Sequence, residues 1–198
     1  MGKVKSALAI ALEKADKLGV LSIEEKEKAR DEEQVKAILG DFYHGKLSAN
    51  SLWQRLKGSK PSLLPTVQIY LIDALGLGNS QEEFQMRKQG ILGAETLKEK
   101  PKTAEIESGL RSIETLQKEY QETKEKVLAD LRREIEQNPQ LRMRPVTTPN
   151  GRTVMQMAVS VDEAVKARLA DLLSEHEKQY NQAFSEVIEE LKKAVKIL

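Results

Sequence analysis

The side chains that could do chemistry in this chain are few. It has two histidines and no cysteine. Histidine is the side chain that changes charge near neutrality and the commonest metal ligand. His44 and His176 lie in opposite halves of the sequence, with no ligand spacing around either that would hold a zinc ion. No glycine-rich segment forms a phosphate loop, and no serine sits in a nucleophile-elbow pattern. Asp and Glu together number 31, against 32 Lys and Arg. They fall on charge-paired helical faces, where solvation rather than acid/base catalysis explains them. The sequence therefore predicts a protein that is not an enzyme and has neither metal nor cofactor.

His44, in Asp41-Phe42-Tyr43-His44-Gly45, suits a helix C-terminus, where positive charge complements the dipole. His176 falls on an apolar helical seam in a position that mirrors Lys124. The pair reads as a polar seam layer that fixes register, with a pH-responsive or ligand role as the alternative.

The richest constellation is the short stretch between Glu136 and Asp162. It carries Arg142, Arg144 and Arg152, no acidic residue, and three of the five methionines. Methionine faces adapt to varied partners, and arginine tolerates interfaces better than lysine. Leu141, Arg142, Met143, Arg144, Arg152, Met155, Met157 and Val159 are accordingly the candidate interaction surface. Simple packing of the methionines against adjoining helix ends is the competing reading. Nucleic-acid binding through the three arginines is a further alternative, weakened by the lack of aromatics for base stacking.

Two long helices must present this stretch. Reading outward from Asn150, apolar residues fall in equidistant pairs: Ile135 with Val165, Leu131 with Leu169, Val127 with Leu173, Tyr120 with Tyr180, Leu116 with Phe184 and Ile113 with Val187. Such a palindrome predicts two antiparallel arms, 103–138 and 161–197, each about 54 Å long at 1.5 Å per residue. In the second arm the apolar positions from Val165 to Leu198 step mainly by 4-4-3, an eleven-residue repeat that keeps the pair nearly straight. Pro139 ends the first arm, and Ser160 with Glu163 opens the second as a capping box. Between them residues alternate in period two about Asn150-Gly151, which predicts a β-hairpin over 141–159 with an Asn-Gly turn. That alternation sets Leu141, Met143, Met155, Met157 and Val159 on one face and Arg142, Arg144, Val146, Val154 and Gln156 on the other.

Before Pro101 the pattern is that of a compact helical domain, residues 1–100. Val4, Leu8, Ala11, Ala15 and Leu18 mark an amphipathic helix over 3–18. A second helix starts at about residue 23, charged at first and apolar from Val35 to Tyr43. Ser48 caps a short helix carrying Leu52, Trp53 and Leu56, and Ser62 opens an almost wholly apolar one with Pro65 in its first turn. Ser80 and Glu83 cap a helix running to about Lys98, whose inner residues are Phe84, Ile91 and Leu92. Pro101 marks the boundary with the hairpin domain, 101–198.

Composition limits what such a protein does. Apolar residues make up 39% of the 198 and the net charge is +1, enough for a core and too little field to draw the whole chain to nucleic acid or an anionic membrane. The apolar run Ala7–Leu12 is too short and too soon charged for a membrane span or signal peptide, and the absence of cysteine gives no sign of an oxidising compartment. The expectation is a cytoplasmic protein with no membrane partner. The helix-hairpin-helix layout over 103–198 is similar in shape to one prefoldin arm and, more loosely, to the stalks of rotary ATPases. Leu128, Leu172 and Ile188 lie beside the main seam and widen its apolar stripe, which asks for cover by another helix or a second copy. The sequence thus reads as mainly α: a helical domain, then a long two-helix hairpin of coiled-coil type with a β-hairpin tip. Its expected role is protein interaction or assembly, with homo-oligomerisation.

Overall fold

The computed structural model describes residues 23–157 and 159–196. Their elements are α1 (Ile23–Tyr43), α2 (Ala49–Leu56), α3 (Leu63–Asp73), α4 (Gln81–Glu95), α5 (Thr103–Gln137), a 3-10 turn (Pro139–Arg142), β1 (Met143–Thr147), β2 (Thr153–Met157) and α6 (Val161–Lys196). The protein is mainly α, with one small antiparallel hairpin. The amphipathic segment 3–18 and the capping signature at Ser22 lie outside the described residues.

The chain divides into two compact units. Of the described residues, the first holds 23–75, 80–110 and 190–196, and the second holds 76–79 and the described part of 111–189. The division falls within the long helices: residues 103–110 of α5 and 190–196 of α6 group with the short helices.

Local signals explain the elements of the first unit. The Ser48 hydroxyl accepts from Ser51 N to start α2, and Ser80 with Glu83 forms a complete capping box on α4. Ser62 precedes α3 as expected, in helical geometry and without a side-chain capping bond. Helix α3 is the buried centre, as its lack of a polar face requires, with Val67, Leu71 and Ile72 at 0% exposure. Phe42, Leu52 and Phe84 close around it, each at most 1% exposed. Gly90 lets α4 into this core: a Cβ there would stand 3.0 Å from Leu71 and 3.3 Å from both Leu52 and Phe42. Leu92, expected inside, is only half-buried, and α4 ends at Glu95 rather than Lys98.

Two features of this unit carried no sequence signal. Gly109 lies so close to α6 that a Cβ would meet Leu191 Cδ2 at 2.5 Å. Glu95, 1% exposed, is the hub of a buried polar network. Its carboxylate accepts from Gln68 Nε2 at 2.7 Å, from Lys98 Nζ at 2.8 Å and from Lys102 N at 2.7 Å. Lys98 also donates to Val195 O at 2.8 Å, tying α6 to the end of α4. Burial alone would raise the Glu95 carboxyl, but the bonds from Lys98, Gln68 and Lys102 outweigh it and hold the group below the usual carboxylate range.

In the second unit α5 and α6 run antiparallel in the register centred on Asn150. The Tyr120 and Tyr180 rings meet edge-on, centroids 5.5 Å apart. Thr123 Oγ1 and Tyr180 Oη lie 3.0 Å apart, and Tyr120 Oη donates to Glu177 at 3.0 Å. Nearer the hairpin, Leu131, Ile135, Ala164 and Val165 form a buried cluster, with Leu141, Val159, Val161 and Leu169 packed on it. The Ser160–Glu163 box opens α6: Ser160 N donates to Glu163 at 2.8 Å and Glu163 N to Ser160 Oγ at 3.2 Å. Arg132 pairs with Asp162 across the arms.

Candidate interaction surface

The ribbon is shorter than its alternation suggested. Its register is Met143 with Met157, Arg144 with Gln156, Pro145 with Met155, Val146 with Val154 and Thr147 with Thr153, each pair equidistant from Asn150. Leu141 and Arg142 belong instead to the 3-10 turn that Pro139 starts, where Leu141 N donates to Asn138 O at 3.1 Å. Leu141 and Val159 are not ribbon residues at all. Both pack on the helix-end cluster, where removing apolar surface from water outweighs adding one more rung to a narrow ribbon. Arg168 on α6 fastens the turn by donating to Leu141 O at 3.2 Å.

The turn also differs from the expected Asn-Gly type. No described residue other than glycine has positive φ, whereas Gly151 has φ 76°. Gly151 N donates to Thr148 O at 2.9 Å, and Thr148 N to Arg152 O at 2.8 Å. Pro149 and Asn150 therefore occupy the centre of a turn closed by Thr148 and Gly151, with Gly151 taking the left-handed step that brings the strands together. Thr148 Oγ1 bonds Asn150 Oδ1 as well and steadies the loop.

Both faces of the ribbon are open. Met155 is 60% exposed, Val154 44% and Met143 36%. By register Met143, Pro145 and Met155 share one face, and Arg144, Val146, Val154 and Gln156 share the other; the side chain of Met157 lies outside the described part. The three arginines do not act as one patch. Arg152 is exposed at the head of β2 and Arg142 is half-buried with its Nε lacking a hydrogen-bond partner. Arg144 sits in the field of Glu163. The Ser160 N–H and hydroxyl hold Glu163 below the usual carboxylate range, with Arg144 and Lys166 adding to that.

The seam between the arms is closed at the hairpin end and open at mid-length. An open groove of about 570 Å³ is lined there by Leu116, Thr123, Val127, His176, Tyr180 and Ala183, with Lys126, Asp130 and Gln179 at its rim. His176 is in this groove, but Lys124 is not. Lys124 is exposed and outside the lining, and Thr123 and Val127 hold the level that the mirror rule gave to Lys124. The reason is geometric: seam positions advance by three or four residues on each helix, so reflection through Asn150 can land one residue, about 100°, off the seam. Leu128 and Leu172 are exposed at 38% and 48%, whereas Ile188 is 9% exposed.

Among the described residues no three His, Asp or Glu side chains gather where a metal ion could be held. None of the described helices is long and apolar enough to cross a membrane.

These features define a class: a mainly helical protein in which a β-ribbon with exposed apolar side chains joins two long antiparallel helices. Residues 50–193 match one protein family, described as a family of unknown function (DUF6657), and the chain belongs to it. No curated protein and no solved structure matches the chain.

Proposed function

We propose that this is a non-enzymatic interaction or assembly protein of the cytoplasm, working through its helical arms and ribbon tip and forming homo-oligomers. One observation carries the reading: a two-stranded ribbon that exposes Met143, Val154 and Met155. An isolated two-stranded ribbon is marginal in water, so apolar side chains left open on it favour a role in contact with another chain. The groove at mid-arm, lined in part by Leu116, Val127 and Ala183, supports the same reading, because an antiparallel helix pair with an uncovered flank is suited to a third helix.

Nucleic-acid binding through Arg142, Arg144 and Arg152 is the second reading. The pull of Glu163 on Arg144 and the partial burial of Arg142 count against it. The deciding experiment joins Gln137 to Val161 by a tight turn, deleting the ribbon. The shortened protein should keep its helical circular dichroism and lose both self-association and partner capture. A shortened protein with unchanged solution mass and unchanged partners would overturn the proposal, and retention on heparin that vanishes with the three arginines would favour nucleic acid.

A further inference from the structure

The hydrogen-bond parity of the ribbon makes its two outer edges unequal. Thr148 N bonds Arg152 O, so Thr148 and Arg152 form a bonded pair. Bonded and non-bonded pairs alternate along an antiparallel ladder. Val146 with Val154 and Arg144 with Gln156 therefore point their backbone groups inward. Thr147 with Thr153, Pro145 with Met155 and Met143 with Met157 point theirs outward. Among the described residues the sheet has two strands, so each strand has an outer edge. On β1 that edge is interrupted at its centre, because Pro145 has no N–H to donate, and Arg144 adds a charge. On β2 Thr153, Met155 and Met157 all offer outward N–H and C=O groups, and Thr153–Met157 contains no charged residue and no proline. Edge strands in monomeric proteins usually carry such guards.

Resting on the reading of the ribbon as an interaction surface, we infer that β2 is the docking edge and that its occupant is β2 of a second copy of this chain, paired antiparallel about a two-fold axis through Met155. The register is self-complementary. Met155 exchanges both bonds with its counterpart, and Thr153 of each copy pairs with Met157 of the other, so every outward group on β2 finds a partner. The two Met155 side chains meet on the face that carries Met143 and Pro145, which makes a continuous apolar strip from four strands. Charge fits as well. Arg152 of one copy comes beyond Met157 of the other, toward the chain that leads into Asp162 and Glu163 at the start of α6. Pro145 then closes the outer edges of the four-stranded sheet, so association stops at a dimer instead of growing into a fibre.

The absence of cysteine makes the test direct. In the full chain, Met155→Cys should form a disulfide-linked dimer rapidly on mild oxidation at micromolar concentration, while Thr147→Cys on β1 should give no disulfide-linked dimer under the same conditions. Met155→Pro removes the outward N–H without touching the inward ladder. It should halve the sedimenting mass and leave the helical signal unchanged. A wild-type chain that is monomeric at high micromolar concentration would overturn the pairing. So would a dimer that survives Met155→Pro with no cross-link at position 155. If that dimer nevertheless disappears when the ribbon is deleted, the pairing fails while the ribbon remains an interaction surface; if it survives deletion too, both fall.

Discussion

Tyr120 and Tyr180 stand equally far from Asn150 along the chain, and their rings meet edge-on at 5.5 Å. This contact fixes the register of the arms at mid-length, and the hydroxyls extend it through Thr123 and Glu177. Burial, aided by Glu177, also raises the Tyr120 phenol above its ordinary range. A double-mutant cycle with Tyr120→Ala and Tyr180→Ala, read by urea unfolding, should give a coupling of about 0.5–1.5 kcal/mol. Full additivity would show that the rings act independently.

Gly109 allows α5 and α6 to approach where Leu191, 2% exposed, has little room to move. Gly109→Ala should destabilise by about 1–3 kcal/mol through overpacking, exceeding the gain of up to about 1 kcal/mol in helix propensity. Leu191→Ala in the same chain should cost less than its effect alone predicts. A stabilised Gly109→Ala protein would count against the close approach.

The Glu95 carboxyl is held below the usual range in the folded state, so folding favours its ionised form. That contribution is fully present above the unfolded carboxyl's pKa of about 4.3 and is lost as pH falls through the folded value. Glu95→Gln should therefore lower stability at neutral pH and flatten its decline in acid. Parallel acid-unfolding curves for the two proteins would show that Glu95 is not the group responsible.

Lys124 and Leu131 separate the mirror rule from the observed packing. Lys124→Ala should change stability by less than about 0.5 kcal/mol, as an exposed substitution does. Leu131→Ala, at a site 4% exposed, should cost about 2–5 kcal/mol. Thermal and urea unfolding would check both, and a comparable loss at Lys124 would restore it to the seam.

Much of the fold was legible because its signals are local or repetitive. The Ser80 and Ser160 capping boxes, the run from Leu63 to Ile72 and the mirrored apolar pairs each specify their element with little help from the rest of the chain. The ribbon register was legible for the same reason, while its ends were not: Leu141 and Val159 fit the alternation but gain more by burying against the helix ends. Lys124 shows the limit of a one-dimensional symmetry applied to a helix. The Gln68–Glu95–Lys98 network was invisible because its members meet through tertiary packing between α3 and α4. Of the candidate surface, the residue types pointed to the tip; the inequality of its edges required the hydrogen-bond parity set by Thr148 and Arg152.

The arms and the ribbon share one centre of register at Asn150, which places a constraint on chain length. Removing a whole turn from α5 alone would slide every residue on one side of the deletion past its counterpart, parting Tyr120 from Tyr180. The same removal matched at the mirrored place in α6 would restore the facing pairs. The hairpin can therefore be lengthened or shortened only by compensating changes in both arms, and its reach is set by two stretches of sequence that must change together.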